Sequence, residues 1–202
     1  MNTTIDQTAS PTLERRIEDA EKELRARSAA LLQLRKQLPS REVEDCTLTR
    51  DDGSPVKLSE LFGDKPDLML IFNMGTGCKY CTLWADGFNG MAHHLQDRAA
   101  FAVVSGDGPE TQAKFKRSRG WTFAMVSSRG TSFAAAEGFQ ASGEANESGA
   151  RPGVATYRKS PDGKILRVAS AGFGPGDEYC STWHLFDLLD GGARDWAPKY
   201  EY

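Results

Sequence analysis

The sequence lacks any apolar run long enough to cross a membrane. Its most apolar stretch, residues 68–72, has only the length of a β-strand, whereas a membrane helix needs about 20 consecutive apolar residues. The first residues also lack the basic start and the apolar segment of a secretory signal. These absences predict a cytoplasmic protein that does not associate with membranes.

The sequence also lacks an excess of positive charge. Its 25 lysines and arginines are balanced by 28 aspartates and glutamates, which gives a net charge of −3. Nucleic-acid-binding domains usually carry a basic patch, and here aromatic and basic residues do not interleave as a base-stacking surface requires. The glycine-rich stretches 73–77 and 172–176 match neither a P-loop nor a dinucleotide fingerprint. We therefore expect no nucleic-acid partner and no nucleotide cofactor.

Cysteine is scarce, with four residues in a chain of 202: Cys46, Cys78, Cys81 and Cys180. In the reducing cytoplasm such cysteines serve as thiols, metal ligands or redox catalysts and not as permanent structural disulfides. A chain of this length holds one domain with a sizeable core and an appendage, but it is too short for two full enzyme domains.

The appendage lies at the N-terminal side of the chain. Residues 1–12 are small and polar and are predicted to be a disordered tail, and residues 13–39 form an amphipathic helix that a proline ends. Apolar residues recur along this helix at spacings of four and three, as in a coiled-coil seam, with Arg27 as one interruption. Two interpretations are open: the helix packs across its own domain, or residues 13–38 pair two chains into a homodimer.

Residues 40–202 alternate strand and helix patterns, which predicts an α/β domain. Apolar strands at 67–72 and 101–105 are each followed by a helix, and such connections imply a parallel core. Strands at 153–159 and 164–171 flank a Ser-Pro-Asp-Gly turn, which predicts an antiparallel hairpin added at one side. This order is that of a thioredoxin-like fold, with a mixed central sheet flanked by helices. The other expected elements are strands at 43–49 and 54–58, a strand or extended segment at 121–127, helices at 78–95, 110–119, 131–138 and 177–189, and a mobile loop at 141–150.

The clearest chemical signal is Cys78-Lys79-Tyr80-Cys81, which follows a buried strand and begins a helix. Unpaired backbone N–H groups and the positive end of the helix dipole stabilise a thiolate at this position, and Lys79 adds positive charge. The second thiol lies one helical turn further on, close enough to form a disulfide. The motif predicts a redox pair in which Cys78 is the more exposed attacking thiol and Cys81 the buried resolving thiol. Metal ligation and inert thiols are the alternatives.

Several segments of the chain resemble those of a known family. They are Leu38-Pro39, Cys78-x-x-Cys81, Trp84-Ala85-Asp86-Gly87-Phe88, Gly120-Trp121-Thr122-Phe123, Pro152-Gly153-Val154, Trp183-His184 and Asp187-Leu188-Leu189. Together they resemble the thioredoxin-like domain-of-unknown-function family 899, within the thioredoxin and peroxiredoxin superfamily. The resemblance covers nearly the whole chain from about residue 13 and implies a thioredoxin-like fold, but it carries over no settled activity.

The superfamily implies a role for Pro152. Relatives of thioredoxin place a cis-proline just before the strand that faces the two cysteines, and Pro152 matches that position. A cis bond there would leave the preceding backbone free to pair with a substrate chain, so Pro152 is a third expected site residue. An ordinary trans proline at the start of a strand is the alternative.

Cys180 and His184 carry a second chemical signal. They lie four residues apart in the predicted final helix, so both side chains project from one helical face. In thioredoxin-like folds the loop before this helix lies near the two cysteines, so the resemblance implies a ligand set of Cys78, Cys81, Cys180 and His184. Thiolates with an imidazole suit zinc or copper(I). The alternative is that Cys180 and His184 are plain core residues.

The sequence leaves three functional hypotheses open. The first is an enzyme, a thiol–disulfide oxidoreductase or antioxidant that requires no cofactor and acts on a protein or small-molecule thiol, disulfide or peroxide. The second is a copper- or zinc-binding protein, either a metal carrier or a metal-dependent oxidoreductase. The third is a redox-inert thioredoxin-like scaffold that dimerises through residues 13–38.

Overall fold

The computed structural model describes residues 12–141 and 149–202. The chain divides into two compact units, one that ends at Pro39 and one that comprises Ser40–Tyr202. Nearly all of the predicted tail at 1–12 and most of the predicted loop at 141–150 lie outside the described residues. Among these described residues, no helix has both the length and the apolar character needed to cross a membrane.

The described part of the first unit contains one helix, α1, over Leu13–Gln37. Thr12 caps its N-terminus, because the threonine hydroxyl accepts the Arg15 N–H at 3.4 Å. Ion pairs at i,i+4 spacing, such as Glu23 with Arg27 at 2.8 Å, stabilise the helix locally. The predicted apolar stripe is exposed in this unit, with Leu24 at 66% exposure, because a lone helix has no second surface on which to bury it.

The second unit is built on a mixed sheet of eight strands among its described residues. In chain order these strands are β1 Arg41–Val43, β2 Thr47–Arg50, β3 Pro55–Lys57, β4 Asp67–Phe72, β5 Ala100–Ser105, β6 Ala124–Ser127, β7 Gly153–Lys159 and β8 Ile165–Gly172. Their order across the sheet is β1-β8-β7-β4-β5-β6-β2-β3. β4, β5 and β6 are parallel, and the other neighbouring pairs are antiparallel. The predicted parallel core with an antiparallel hairpin at one side is confirmed.

β4 lies inside the sheet and is covered on both faces. Leu68, Leu70 and Phe72 pack in one hydrophobic cluster. Ile71 packs in a second cluster, on the other face, together with Trp84. This division follows from the two-residue period of a strand, and burial of both faces explains why the β4 sequence is almost continuously apolar.

Helices supply the crossovers that the parallel strands require. The helices of the second unit are α2 Lys79–Gly90, α3 Ala92–Arg98, α4 Pro109–Arg119, α5 Phe133–Ala136 and α6 Ser181–Phe186, with a 3-10 turn at Leu58–Phe62. α2 and α3 connect β4 to β5, and α4 connects β5 to β6. α2 therefore begins just beyond the carboxyl end of a central strand, which is where open α/β sheets place their sites.

Three predicted boundaries were wrong. The helix expected at 78–95 is divided at Met91 into α2 and α3, and the strand expected at 43–49 is divided into β1 and β2. The final helix expected at 177–189 is reduced to α6. The Asp177 carboxylate accepts three backbone N–H groups from residues 174–180, at 2.7 to 3.1 Å, and so holds this segment as a loop.

Candidate redox site at the start of α2

The loop between β4 and α2 is shaped by two polar side chains. Asn73 accepts the Gly75 N–H on its Oδ1 at 2.8 Å, and buried Asp107 accepts the Thr76 N–H on its Oδ2 at 2.7 Å. Gly75 has a left-handed φ of +101°, and a Cβ there would lie 2.9 Å from Asp107 Oδ2. The glycine is therefore needed both for its backbone conformation and for the close approach of the carboxylate.

Cys78 is the N-cap residue of α2 and is half-buried. Its sulfur accepts the backbone N–H of Cys81 at 3.1 Å. The pKa of Cys78 is lowered to about 6, chiefly because the Cys81 thiol donates a hydrogen bond to it, while burial opposes the shift. A thiol with this pKa is mostly thiolate at pH 7, and the thiolate is the nucleophilic form.

Cys81 lies one turn into α2 and is only 3% exposed. Its pKa is raised above the ordinary range, first because its thiol donates to Cys78 and second because it is buried. The Met74 backbone N–H donates to the Cys81 sulfur and partly opposes this shift. The order of exposure is the one that the sequence predicted, and the chemical roles of the two thiols stay predictions.

The predicted four-residue metal site is not assembled. Cys180 is the buried residue before α6 rather than part of it, so the expected helical spacing to His184 is wrong. Cys180 Sγ donates to Thr182 Oγ1 at 3.5 Å, and His184 Nε2 donates to the Asp177 carbonyl at 2.9 Å. Among residues 12–141 and 149–202, no three His, Cys, Asp or Glu side chains are grouped so that they could hold a metal ion.

Pro152 lies at the expected edge of the sheet, but its expected conformation is wrong. Gly153 pairs with Phe72, so Pro152 is placed where the 73–77 loop begins. The Arg151–Pro152 bond is trans. The Arg151 N–H donates to the Phe139 carbonyl at 2.7 Å, so the backbone before the proline is already paired within the chain and is not free for a substrate strand.

The family is decided by the extent of the sequence match. The family described as "Bacterial protein of unknown function (DUF899)" matches residues 9–201. The chain belongs to the DUF899 family. The resemblance found in the sequence is thereby confirmed, and no curated protein matches this DUF899 chain significantly.

Solved structures show the fold class of this DUF899 chain. Peroxidoxin BcpB from Mycobacterium tuberculosis is 24% identical, with a TM-score of 0.53 over 66% of this chain and 84% of that one. The bacterioferritin comigratory protein of Xanthomonas campestris, solved in a study of its alkyl peroxide reduction activity, is 18% identical, with a TM-score of 0.51 over 63% and 80%. A peroxiredoxin-like protein from Aquifex aeolicus is 16% identical, with a TM-score of 0.52 over 66% and 74%. These likenesses confirm the predicted thioredoxin-like fold.

Tyr200 contacts the loop before Cys78, although no sequence signal pointed to it. Its hydroxyl donates to the Thr76 carbonyl at 2.8 Å, across 124 positions of the chain. Lys79, which was expected to stabilise the thiolate by charge, has its Nζ 5.7 Å from the centre of the Tyr200 ring. The causes of the low Cys78 pKa are hydrogen bonds. Asp107 was missed for the same reason as Tyr200, because it reaches the loop from a distant part of the chain.

An aromatic cluster joins α2 to α6 beside the two thiols. The Tyr80 ring stacks on Trp183 with centroids 6.1 Å apart, and Trp84 lies 5.6 Å from Trp183. Trp84 Nε1 also donates to Asp177 Oδ1 at 3.3 Å. Tyr80, between the two cysteines, stays 39% exposed, so the surface next to Cys78 is partly aromatic.

Proposed function

We propose that this DUF899 chain is a thiol-based oxidoreductase, with Cys78 as the nucleophile and Cys81 as the resolving thiol. The observation that carries the proposal is the position of the Cys78 sulfur, which caps α2 and accepts hydrogen bonds from the backbone N–H and the thiol of Cys81. Those bonds favour a thiolate at neutral pH, and the thiolate is the attacking species in disulfide and peroxide chemistry. The peroxiredoxin-like fold is a second support.

Disulfides and hydroperoxides would be reduced in the same two steps, an attack by Cys78 and then a reaction of Cys81 with the modified Cys78. With a disulfide, the Cys78 thiolate attacks one sulfur, the other sulfur leaves as a thiolate, and Cys81 then displaces the first sulfur from Cys78. With a hydroperoxide, the thiolate takes one oxygen as a sulfenic acid, water or an alcohol leaves, and condensation with Cys81 releases water. Either route oxidises Cys78 and Cys81 to a disulfide by two electrons, and an external thiol completes the cycle.

The raised pKa of Cys81 is compatible with its resolving role. In the resting site its thiol donates to Cys78, and the charge of Cys78 further opposes its ionisation. Once Cys78 is a mixed disulfide or a sulfenic acid, its sulfur is no longer charged and accepts only a weak hydrogen bond from the Cys81 thiol. The Met74 N–H, which already favours the Cys81 thiolate, remains in place. The second attack is thus enabled by the first.

The test is direct detection of the predicted disulfide. Reduced protein is mixed with one equivalent of hydrogen peroxide or of glutathione disulfide, the free thiols are alkylated, and the cysteine peptides are identified by mass spectrometry. We expect a Cys78–Cys81 disulfide in the parent, no reaction in Cys78→Ser, and a trapped sulfenic acid or glutathione adduct on Cys78 in Cys81→Ser.

Cys46→Ser is the matched control. Burial, and then the charge of Asp45, raise the pKa of Cys46 to about 11, so this thiol is protonated at neutral pH and the variant should react like the parent. A parent protein that keeps all four thiols with both oxidants would refute the proposal and would favour the redox-inert scaffold.

We also propose that residues 13–38 associate as a coiled coil between two chains. The support is the heptad-like stripe of α1, whose side chains are exposed in their own unit. Sedimentation of the full chain should give a dimer, and the double variant Leu24→Glu/Leu31→Glu should give a monomer because it places charges in the seam. Glu18→Lys, outside the seam, is the control. A monomeric parent would contradict this proposal and leave the redox proposal intact.

A further inference from the structure

We propose that Tyr200 is a positioning residue for Cys78. By holding the turn at residues 75–78, Tyr200 keeps the Cys78 sulfur in the position where it caps α2. The Tyr200 hydroxyl donates to the Thr76 carbonyl at 2.8 Å, on one side of Cys78. Its ring lies under the Lys79 ammonium, on the other side. This inference rests on the proposed function, because it assumes that the geometry of the Cys78 sulfur matters for its chemistry.

The turn is fixed from two directions at Thr76. Asp107 accepts the Thr76 N–H at 2.7 Å from the inside of the fold, and Tyr200 donates to the Thr76 carbonyl. The turn closes through a hydrogen bond from the Cys78 N–H to the Gly75 carbonyl at 3.1 Å. Gly77 is exposed, and no atom lies within 4 Å of where its Cβ would be, so packing does not support the turn at this residue.

Tyr200 is itself held by regular elements. Its carbonyl accepts Arg119 Nη1 at 2.6 Å, and its ring packs edge-on against Phe115 of α4. Arg119 also forms an ion pair with Asp86 of α2. Tyr200 therefore contacts α4 directly and is linked to α2 through Arg119. These contacts fix the position of its hydroxyl relative to the turn. Burial, and then the charge of Cys78, raise the pKa of the Tyr200 hydroxyl, which keeps it protonated as a donor.

Loss of this donor should weaken the hydrogen bonds that favour the reduced, thiolate form of Cys78. The equilibrium to measure is that between the reduced protein and glutathione disulfide. The Cys78–Cys81 disulfide forms, the glutathione disulfide breaks, and its two sulfurs take the two electrons, one proton from Cys81 and one proton from the solvent to give two molecules of glutathione. In Tyr200→Phe we expect the equilibrium constant for oxidation to rise roughly threefold, which makes the reduction potential about 14 mV more negative.

Tyr202→Phe is the control, because the Tyr202 hydroxyl accepts the Lys199 N–H and does not serve the turn. Arg119→Gln removes the support of Tyr200 by another route and should act in the same direction as Tyr200→Phe. An unchanged equilibrium in Tyr200→Phe, or an equal shift in Tyr202→Phe, would overturn the inference.

A second readout separates this inference from the proposed function. Hydrogen exchange of the Tyr80 and Cys81 amides, followed by NMR, reports the cap without requiring any redox reaction. Exchange should be roughly threefold faster in Tyr200→Phe than in the parent. If the parent forms no disulfide, the proposed function fails, and these two amides still decide whether Tyr200 positions the turn. Unchanged exchange would then reject the inference.

Discussion

Replacement of Cys81 by alanine tests the physical origin of the reactive thiolate. The Cys81 thiol is the largest cause of the low Cys78 pKa, which is about 6. A hydrogen bond to a charged group stabilises it by roughly 1.5–3 kcal/mol, and one pKa unit corresponds to about 1.4 kcal/mol. Because a thiol is a weak donor, we take the lower limit. Cys81→Ala should therefore raise the pKa of Cys78 by about one unit, to about 7.

The assay is the pH dependence of Cys78 alkylation by iodoacetamide, followed by mass spectrometry of the Cys78 peptide. Rates are normalised to their plateau at high pH, because thiolates of lower pKa are intrinsically weaker nucleophiles. The parent should reach half of its plateau near pH 6, where the Cys81→Ala variant should reach only about a tenth. Cys81→Ser keeps a hydroxyl donor and should stay close to the parent.

Three outcomes would refute this reasoning in different ways. An unchanged midpoint in Cys81→Ala would mean that the backbone N–H groups alone hold the thiolate. Equal midpoints in Cys81→Ala and Cys81→Ser, both shifted, would mean that packing matters and the donor does not. A parent midpoint in the ordinary thiol range, near 8.5, would mean that the position of the sulfur as the cap of α2 does not lower the pKa of Cys78.

Two further predictions concern the framework. Gly75→Ala should lower the free energy of unfolding by about 1–3 kcal/mol in urea titrations, since it places a Cβ on a left-handed backbone and against a buried carboxylate, whereas Gly77→Ala should change it by less than about 0.5 kcal/mol. Glu137→Gln should cost about 3 kcal/mol, because the buried Glu137 carboxylate pairs with two arginines and a tyrosine hydroxyl. Glu42→Gln, which breaks only the exposed pair with Lys164, should cost less than about 1 kcal/mol, and a similar loss in both variants would contradict the argument.

The central strands were predictable because burial inside the sheet requires apolar residues, and that pattern can be seen in the sequence. The expected strands at 67–72 and 153–159 coincide with β4 and β7 residue for residue. The expected final helix is shortened to α6, since the backbone N–H groups of its first turn bond to the Asp177 side chain instead. Side-chain-to-backbone bonds of this kind depend on local geometry that hydrophobic periodicity does not encode.

Some residues of the candidate site could also be predicted from the sequence, and others could not. Cys78 and Cys81 could be predicted as candidate site residues because a strand, a short loop and a helix start are adjacent in sequence. Tyr200 and Asp107 approach the same loop through chain folding, and no spacing rule links them to it. The pairing of Cys180 with His184 was an error of the opposite kind, because a four-residue spacing brings side chains to one face only where the backbone is helical.

The hydrogen bonds that lower the pKa of Cys78 also bear on which residues the motif can carry between its two cysteines. If a neighbouring charge lowered the pKa of Cys78, the residues inside the motif would have to be chosen for charge, and the effect would weaken with salt. Here the donors are the Cys81 thiol and backbone N–H groups, and backbone N–H groups are supplied by any residue except proline. Lys79 and Tyr80 are then free to contact Tyr200 and Trp183. What the site requires is a turn held rigidly enough to keep the sulfur in its cap, so reactivity should respond to the partners of the turn more than to the charge inside the motif.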